Sequence, residues 1–213
     1  MKTVVIVGAG GQARDTAWLI AEINHARPTY RLAGFVVTDP SKPGPHDSPV
    51  LGGYDWIESN EVDGLVLGIG TPAARLRVAA ALEARFPNLE WPTLVHPRVE
   101  LDRGSATMGR GVMVGAGVVG SVNIELADFA LVNLGVALGH EARLDRGAVI
   151  NHNATLGGGV ELGEAALVGS GATVLQYHRV GAGATVGSGA VVTRDVPDGE
   201  TWVGVPARRL ERS

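Results

Sequence analysis

The chain contains no cysteine. A disulfide framework and a thiol nucleophile are therefore excluded, and a reducing compartment suits it. Aromatic residues make up only 5% of the 213 residues, so the core is expected to consist of aliphatic layers. Positive charge is not in excess: 18 Lys and Arg stand against 22 Asp and Glu, for a formal charge of -4. Nonspecific nucleic-acid binding needs a basic face and is not expected. Long apolar runs are missing as well. One lysine and a five-residue run, Thr3 to Val7, open the chain, too short for a signal sequence or a membrane span. The length allows two modest domains, and the expected location is the cytoplasm.

Glycine, by contrast, is abundant, with 31 residues concentrated in one stretch. From Met108 to about Pro197 a six-residue unit repeats fifteen times. Its first position is apolar in fourteen units, including Met108, Val114, Leu126, Leu144, Ile150 and Val192, with Gly120 the exception. Its fifth position is small and apolar in fourteen units, from Val112 to Val196, with His178 the exception. Its second position is Gly, Asn or Asp in eleven units, for example Gly157, Gly163, Gly169 and Asn151. These residues tolerate positive φ, so the second position is expected at a recurrent bend. No helical period explains a strict six, whereas a parallel β-helix does. The repeat resembles that of the hexapeptide-repeat acyltransferases, whose left-handed β-helix takes three hexads per coil. That resemblance implies five coils without an insertion. A solenoid without catalysis would carry the same interior, so function must be sought in outward residues.

The preceding residues alternate strands and helices. Strands are expected over Thr3–Val7, Arg31–Val37, Val62–Ile69 and Trp91–Val95. Helices are expected from the glycine turn through Asn24 and over Pro72–Phe86, with a helical turn within Gly53–Ser59. In the first helix Ala17, Leu19, Ile20 and Ile23 can face a sheet. Residues 41–49, rich in Pro, Gly and Ser, read as a loop. Residues 1–96 are thus expected as a Rossmann-like α/β domain and 97–213 as the β-helix domain. Gly8, Gly10 and Ala13 fit the pattern G-x-G-x-x-A after a strand and before a helix. Free N–H groups and the positive dipole end at that helix start suit a phosphate. Asp39 lies further on than the roughly twenty residues expected of a ribose-binding acid. A nucleotide is the expected ligand, with NAD or a purely structural turn as alternatives.

His140 occupies the third position of its hexad and should point out of the coil. Imidazole titrates near neutrality and suits proton removal from an attacking amine or hydroxyl. A neighbouring carboxylate, Glu141, could fix the tautomer. Adjacent residues on a strand face opposite ways, so that contact requires a corner. An exposed surface histidine is the alternative. His140, His152 and His178 are spaced 12 and 26 residues apart, which does not make a compact ligand set, and no metal is expected. His178 sits at a core-type position, where a satisfied buried or corner histidine is expected.

Several segments together carry a wider likeness. They are Val-Gly-Ala-Gly-Gly-Gln-Ala at 7–13, Gly-Phe at 34–35, Gly-Ile-Gly at 68–70, Pro-Thr-Leu-Val-His-Pro at 92–97, the hexads, and Val-Gly-Val-Pro-Ala at 203–207. Over its whole length the chain resembles the sugar O-acyltransferases of the sialic acid O-acetyltransferase type. That family includes N-acetyltransferases of nucleotide-linked 4-amino sugars. The resemblance implies acetyl transfer from acetyl-CoA to the amine of a UDP- or GDP-linked amino sugar in polysaccharide biosynthesis. O-acetylation of sialic acid or a related sugar is the alternative. It implies His140 as general base, Glu141 as its orienting acid and Asn133 as an acceptor contact. Gly10, Gly11, Gln12, Thr38, Asp39, Gly70 and Arg75 correspond to positions around the nucleotide sugar. Arg75 would be the diphosphate partner, its planar fork matching phosphate oxygens, or else a solvated helix arginine. Val149, His152, Gly158, Ser170 and Ser188 would line the coenzyme groove between subunits of a homotrimer. Three departures stand out. Gln12 replaces a frequent histidine, Val149 falls where relatives carry a second histidine, and Gln176-Tyr177-His178 replaces Pro-Gly-Val.

Overall fold

The structure is a computed structural model in which residues 1–39 and 50–211 are described. The expected loop at 41–49 lies outside the described residues. The chain divides into two compact units, Met1–Pro97 and Arg98–Ser213.

In the first unit, β1 (Lys2–Val7) is buried from Thr3 onward, as a continuous apolar run requires in a two-sided sheet. It leads through a glycine turn into α1 (Gly11–Ala26) and then β2 (Tyr30–Val36). A short β3 (Val50–Gly52), α2 (Asp55–Glu58), β4 (Gly64–Leu67), α3 (Pro72–Arg85) and β5 (Leu94–Val95) follow. The sheet is parallel with order β3-β2-β1-β4. The chain winds outward from β1 to β3 and then returns to the other side of β1. That reversal creates a switch point at the carboxyl ends of β1 and β4.

Three expectations need correction here. The sheet's outer strand is β3, whose three residues are too few to show a period. The stretch from Trp91 to Val95 contributes only the two residues of β5, which are not in this sheet, while Glu90 bridges Gly64 at the β4 edge. The buried face of α1 is Ala13, Thr16, Leu19 and Ile20, whereas Ala17 and Ile23 are half-buried. Ala13 turns inward because it packs on Gly68, where a Cβ would come within 2.6 Å of it.

The second unit is a parallel β-helix. Fifteen two-residue strands, from Thr107–Met108 to Val191–Val192, recur every six residues and fall onto three sheets. Partners across a sheet are one coil apart, as Leu126, Leu144 and Leu162 illustrate. First-position side chains stack inside, and the small fifth-position residues fill the narrow space near the corners. Gly120 breaks the pattern because Leu101, from the segment before the repeat, fills its place: a Cβ on Gly120 would lie 2.3 Å from the Leu101 side chain. His178 keeps 28% of its side chain exposed, with Nδ1 3.3 Å from Asp195 Oδ1. The Arg179 N–H, and then His178, hold the Asp195 carboxyl below the usual carboxylate range.

The bend is not where the glycine count placed it. Positive φ occurs at the fourth position of fourteen hexads, from Gly111 to Gly189. Glycine at the second position answers a different demand. At Gly139, Gly157, Gly163 and Gly169 a Cβ would approach the backbone of the next coil within 2.4–2.6 Å.

The three outer faces differ in chemistry. One carries Glu125, Arg143, Glu161 and Arg179 in register on successive strands, a ladder of alternating sign. Another carries Val119, Ala137, Thr155, Thr173 and Val191, with no charge at all. On the third, Met113, Leu131 and Val149 are buried.

Candidate active site

His140 and Glu141 are the central residues of the turn Gly139–Ala142, closed by the Ala142 N–H donating to Gly139 O at 3.3 Å. Glu141 has φ 61°, the left-handed value required at the third residue of a type II turn. A strand would separate the two side chains, but this corner brings them together. His140 Nδ1 lies 3.7 Å from Glu141 Oε2, an ion-pair separation beyond hydrogen-bond length, with the two side chains 49% and 55% exposed.

The next coil supplies the floor. The Gly159 N–H donates to His140 O at 2.7 Å. A Cβ on Gly158 would stand 2.3 Å from His140 Nε2, so the imidazole occupies the space a side chain would need. The clash would fall on the end of a movable ring, not on backbone. Gly158→Ala is therefore expected to keep the melting temperature and, with His140 as the expected base, to lower kcat by roughly 10- to 100-fold through displacement of the ring. Unchanged kcat would show that the ring does not depend on this floor. One coil further, Tyr177 places its ring 6.4 Å from that of His140, at 61°. No sequence motif marks Tyr177 as part of the site. The signal was available in spacing, because residues 18 apart are neighbours on successive coils.

The remaining β-helix candidates stand elsewhere. His152, Ser170 and Ser188 form a column on a different corner, with both serines exposed. Asn133 is at that corner too, nearly buried, and its Nδ2 donates to Asn151 Oδ1 at 2.9 Å. Gly158 belongs to the His140 corner instead. Val149 is wholly buried, so it offers no surface to a coenzyme, and that expectation is corrected.

In the first unit the turn residues gather at the switch point. The Gly8 N–H donates to Val36 O and the Gly68 N–H to Val7 O, each at 2.8 Å. Gly8, at φ 107°, would bring a Cβ to 2.9 Å from Gly68 O. Gly10 differs: its φ is -81° and a Cβ there would meet nothing within 4 Å. Neither backbone nor packing requires glycine at that position, and the backbone there is open to close approach. Gly10 caps α1 without a side-chain hydrogen bond, and exposed Gly11 begins the helix. Gln12 lies over Gly70, with Oε1 3.5 Å from the place of a Cβ there. Thr38, exposed, and Asp39, half-buried, follow β2 at the same edge of the sheet.

Arg75 corrects its expectation. It is fully buried, and Nη1 donates to Leu67 O and Ile69 O at 3.0 Å each. Burial pushes its guanidinium down to about 9, so it stays charged at neutral pH. Its place is beneath the strand-to-helix loop, which it braces. The backbone N–H groups at the start of α1 have the geometry to receive an anion. Among the described residues, no group of three or more His, Asp or Glu side chains could hold a metal ion. No helix among them is long and apolar enough to cross a membrane.

Residues 3–82 match the PglD N-terminal domain family. Among solved structures, the acetyltransferase domain of PglB from Neisseria gonorrhoeae FA1090 is 30% identical, covering 99% of this chain and 100% of its own, with a TM-score of 0.86. PerB from Caulobacter crescentus, solved in complex with CoA and GDP-perosamine, is 32% identical over 99% of this chain and 98% of its own, with a TM-score of 0.84. WeeI from Acinetobacter baumannii AYE is 25% identical over 99% and 100%, with a TM-score of 0.73. A search of curated protein sequences returned no significant match. With likeness of this degree running the full length of both chains, through the α/β unit and the coils alike, the chain belongs to the sugar acetyltransferases of the hexapeptide-repeat, left-handed β-helix family.

Proposed function

We propose that the chain transfers the acetyl group of acetyl-CoA to the amine of a nucleotide-linked amino sugar, with His140 as general base. The observation that carries the reading is the corner at His140: an exposed imidazole on a side-chain-free floor, with a carboxylate beside it. The relative solved with CoA and GDP-perosamine supports the same pair of substrates. In this reaction the amine nitrogen bonds to the thioester carbonyl carbon as His140 takes its proton. The tetrahedral intermediate then collapses, the C–S bond breaks, and the imidazolium returns the proton to the departing thiolate. Glu141 favours the imidazolium formed in between. Within the Met1–Pro97 unit, the glycine turn and α1 start bind the nucleotide diphosphate, with Gln12, Thr38, Asp39 and Gly70 around it. Asn133, His152, Ser170 and Ser188 contact acceptor or coenzyme.

Those last residues and His140 stand on different corners of the β-helix, so a second copy of the chain is needed to bring the two sets together. The uncharged face of Val119, Ala137, Thr155, Thr173 and Val191 suits such contact. The proposal is therefore a homotrimer with sites between subunits. Sedimentation should give three times the chain mass, and a monomer at assay concentration would refute it. Both co-substrates are cytoplasmic metabolites, so the proposal includes a cytoplasmic location.

The test is an acceptor panel of UDP- and GDP-linked 4-amino sugars and sialic acid, each with acetyl-CoA. Free thiol should appear with an amino-sugar acceptor, and the product should gain one acetyl group on nitrogen. Thiol release with sialic acid alone would replace this reading, and release with no acceptor would defeat it.

A further inference from the structure

Six non-glycine residues hold positive φ at the fourth hexad position, and two of them are aromatic, Phe129 and Tyr177. A bulky residue in the left-handed region is strained and needs a compensating contact. Phe129 has one. It is wholly buried, with the Arg110 and Arg146 guanidinium groups 5.6 and 5.3 Å from its ring centre. Tyr177, at φ 59°, is 70% exposed, so burial does not explain it.

What Tyr177 does have is a partner across two coils. Its backbone N–H donates to Gly158 O at 2.9 Å. Its ring reaches back over Gly159, where a Cβ would meet Cδ1 at 2.5 Å. His140 reaches forward over Gly158 in the same way, at 2.3 Å. The paired glycines of the middle coil thus form a shelf on which two rings from the coils on either side meet edge to face, 6.4 Å apart. A side chain on Gly158 or Gly159 would remove one ring or the other. Glu141 sits at Nδ1, on the other side of the imidazole from the shelf.

We infer that Tyr177 is a positioning residue for the general base: its ring, held over Gly159 by a left-handed backbone, limits where the His140 imidazole can swing. The inference rests on the acetyltransferase reading above and adds a residue to it. Tyr177 acts through His140 and need not touch either substrate.

The test compares Tyr177→Gly, Tyr177→Asn and Tyr177→Phe in the full chain. Gly and Asn suit positive φ, so neither should lower the melting temperature, and both remove the ring. Each should reduce kcat by roughly 10- to 100-fold with little change in KM, as expected when a catalytic group loses its orientation. Tyr177→Phe keeps the ring and should keep the activity. Imidazole NMR signals of His140, identified by their loss in His140→Ala, should move in the Gly and Asn variants and not in the Phe variant. Unmoved His140 signals with unchanged kcat would overturn the inference. So would a Phe variant as impaired as the Gly variant, since the hydroxyl and not the ring would then be needed. Loss of the oligomer in the Gly variant would make Tyr177 a subunit contact instead. If the wild type acetylates no acceptor, the functional reading alone fails, and the His140 signals still decide whether Tyr177 fixes the ring.

Discussion

Replacing His140 by alanine is expected to lower kcat by roughly 10²–10⁴-fold, the span that general-base catalysis contributes. The fold should not notice the change. His140 lies at an outward third position, its side chain is 49% exposed, and the interior is filled by first and fifth positions. No cavity opens when the ring is removed, so the melting temperature should match that of the wild type. The comparison is informative because the two readouts separate. Lost activity with an intact fold assigns the residue to chemistry, whereas lost activity with early melting would assign it to structure. Thiol release from acetyl-CoA at saturating acceptor gives kcat directly. A variant within tenfold of wild type would remove His140 from the reaction, and the role of base would have to be sought elsewhere.

The opposite separation is expected inside the coil. Leu144 is 1% exposed and stacks between Leu126 and Leu162. Truncation to alanine takes away its methyl groups and leaves a cavity that two fixed neighbours cannot close, at a cost of about 2–5 kcal/mol. Because each coil of a solenoid touches only the coils beside it, the loss should weaken cooperativity as well as stability. The midpoint of denaturant unfolding reads this, with the half-buried Met108 as a milder control. A change below about 1 kcal/mol would mean that the interior collapses freely at this layer. Activity per folded molecule should survive, since the turn bearing His140 and Glu141 belongs to the preceding corner.

What the sequence made legible follows from what a period can encode. Strict sixfold spacing of Val, Leu and Ile has only one outlet, a coil with an inside, and all fifteen strands lie on that spacing. Glycine was harder to read because it serves two ends here: the absence of a Cβ at Gly139 and Gly157, and positive φ at Gly135 and Gly159. Composition cannot tell these apart. Val149 and Arg75 were misplaced for a related reason. A repeat says which residues leave the coil, and a helical pattern says which face is charged, but neither reveals whether that surface is itself covered. The His140–Glu141 contact was legible only as a condition, that a corner must lie there, and φ 61° at Glu141 meets it. Tyr177 is visible in the sequence only as a departure from the family pattern, because its neighbour His140 is 37 residues away in sequence and two coils away in space.

The ladder Glu125–Arg143–Glu161–Arg179 restricts how this protein can change length. Gain or loss of one coil, eighteen residues, would leave every core position in phase. Inside the ladder, loss of one coil, or gain of one bearing Glu or Arg, would also set like charges across adjacent strands, an arrangement that destabilises a sheet. Gain or loss of two coils would keep both the core and the alternation. On this face the heritable unit is thus the pair of coils, and homologues of different length are expected to differ by thirty-six residues more readily than by eighteen.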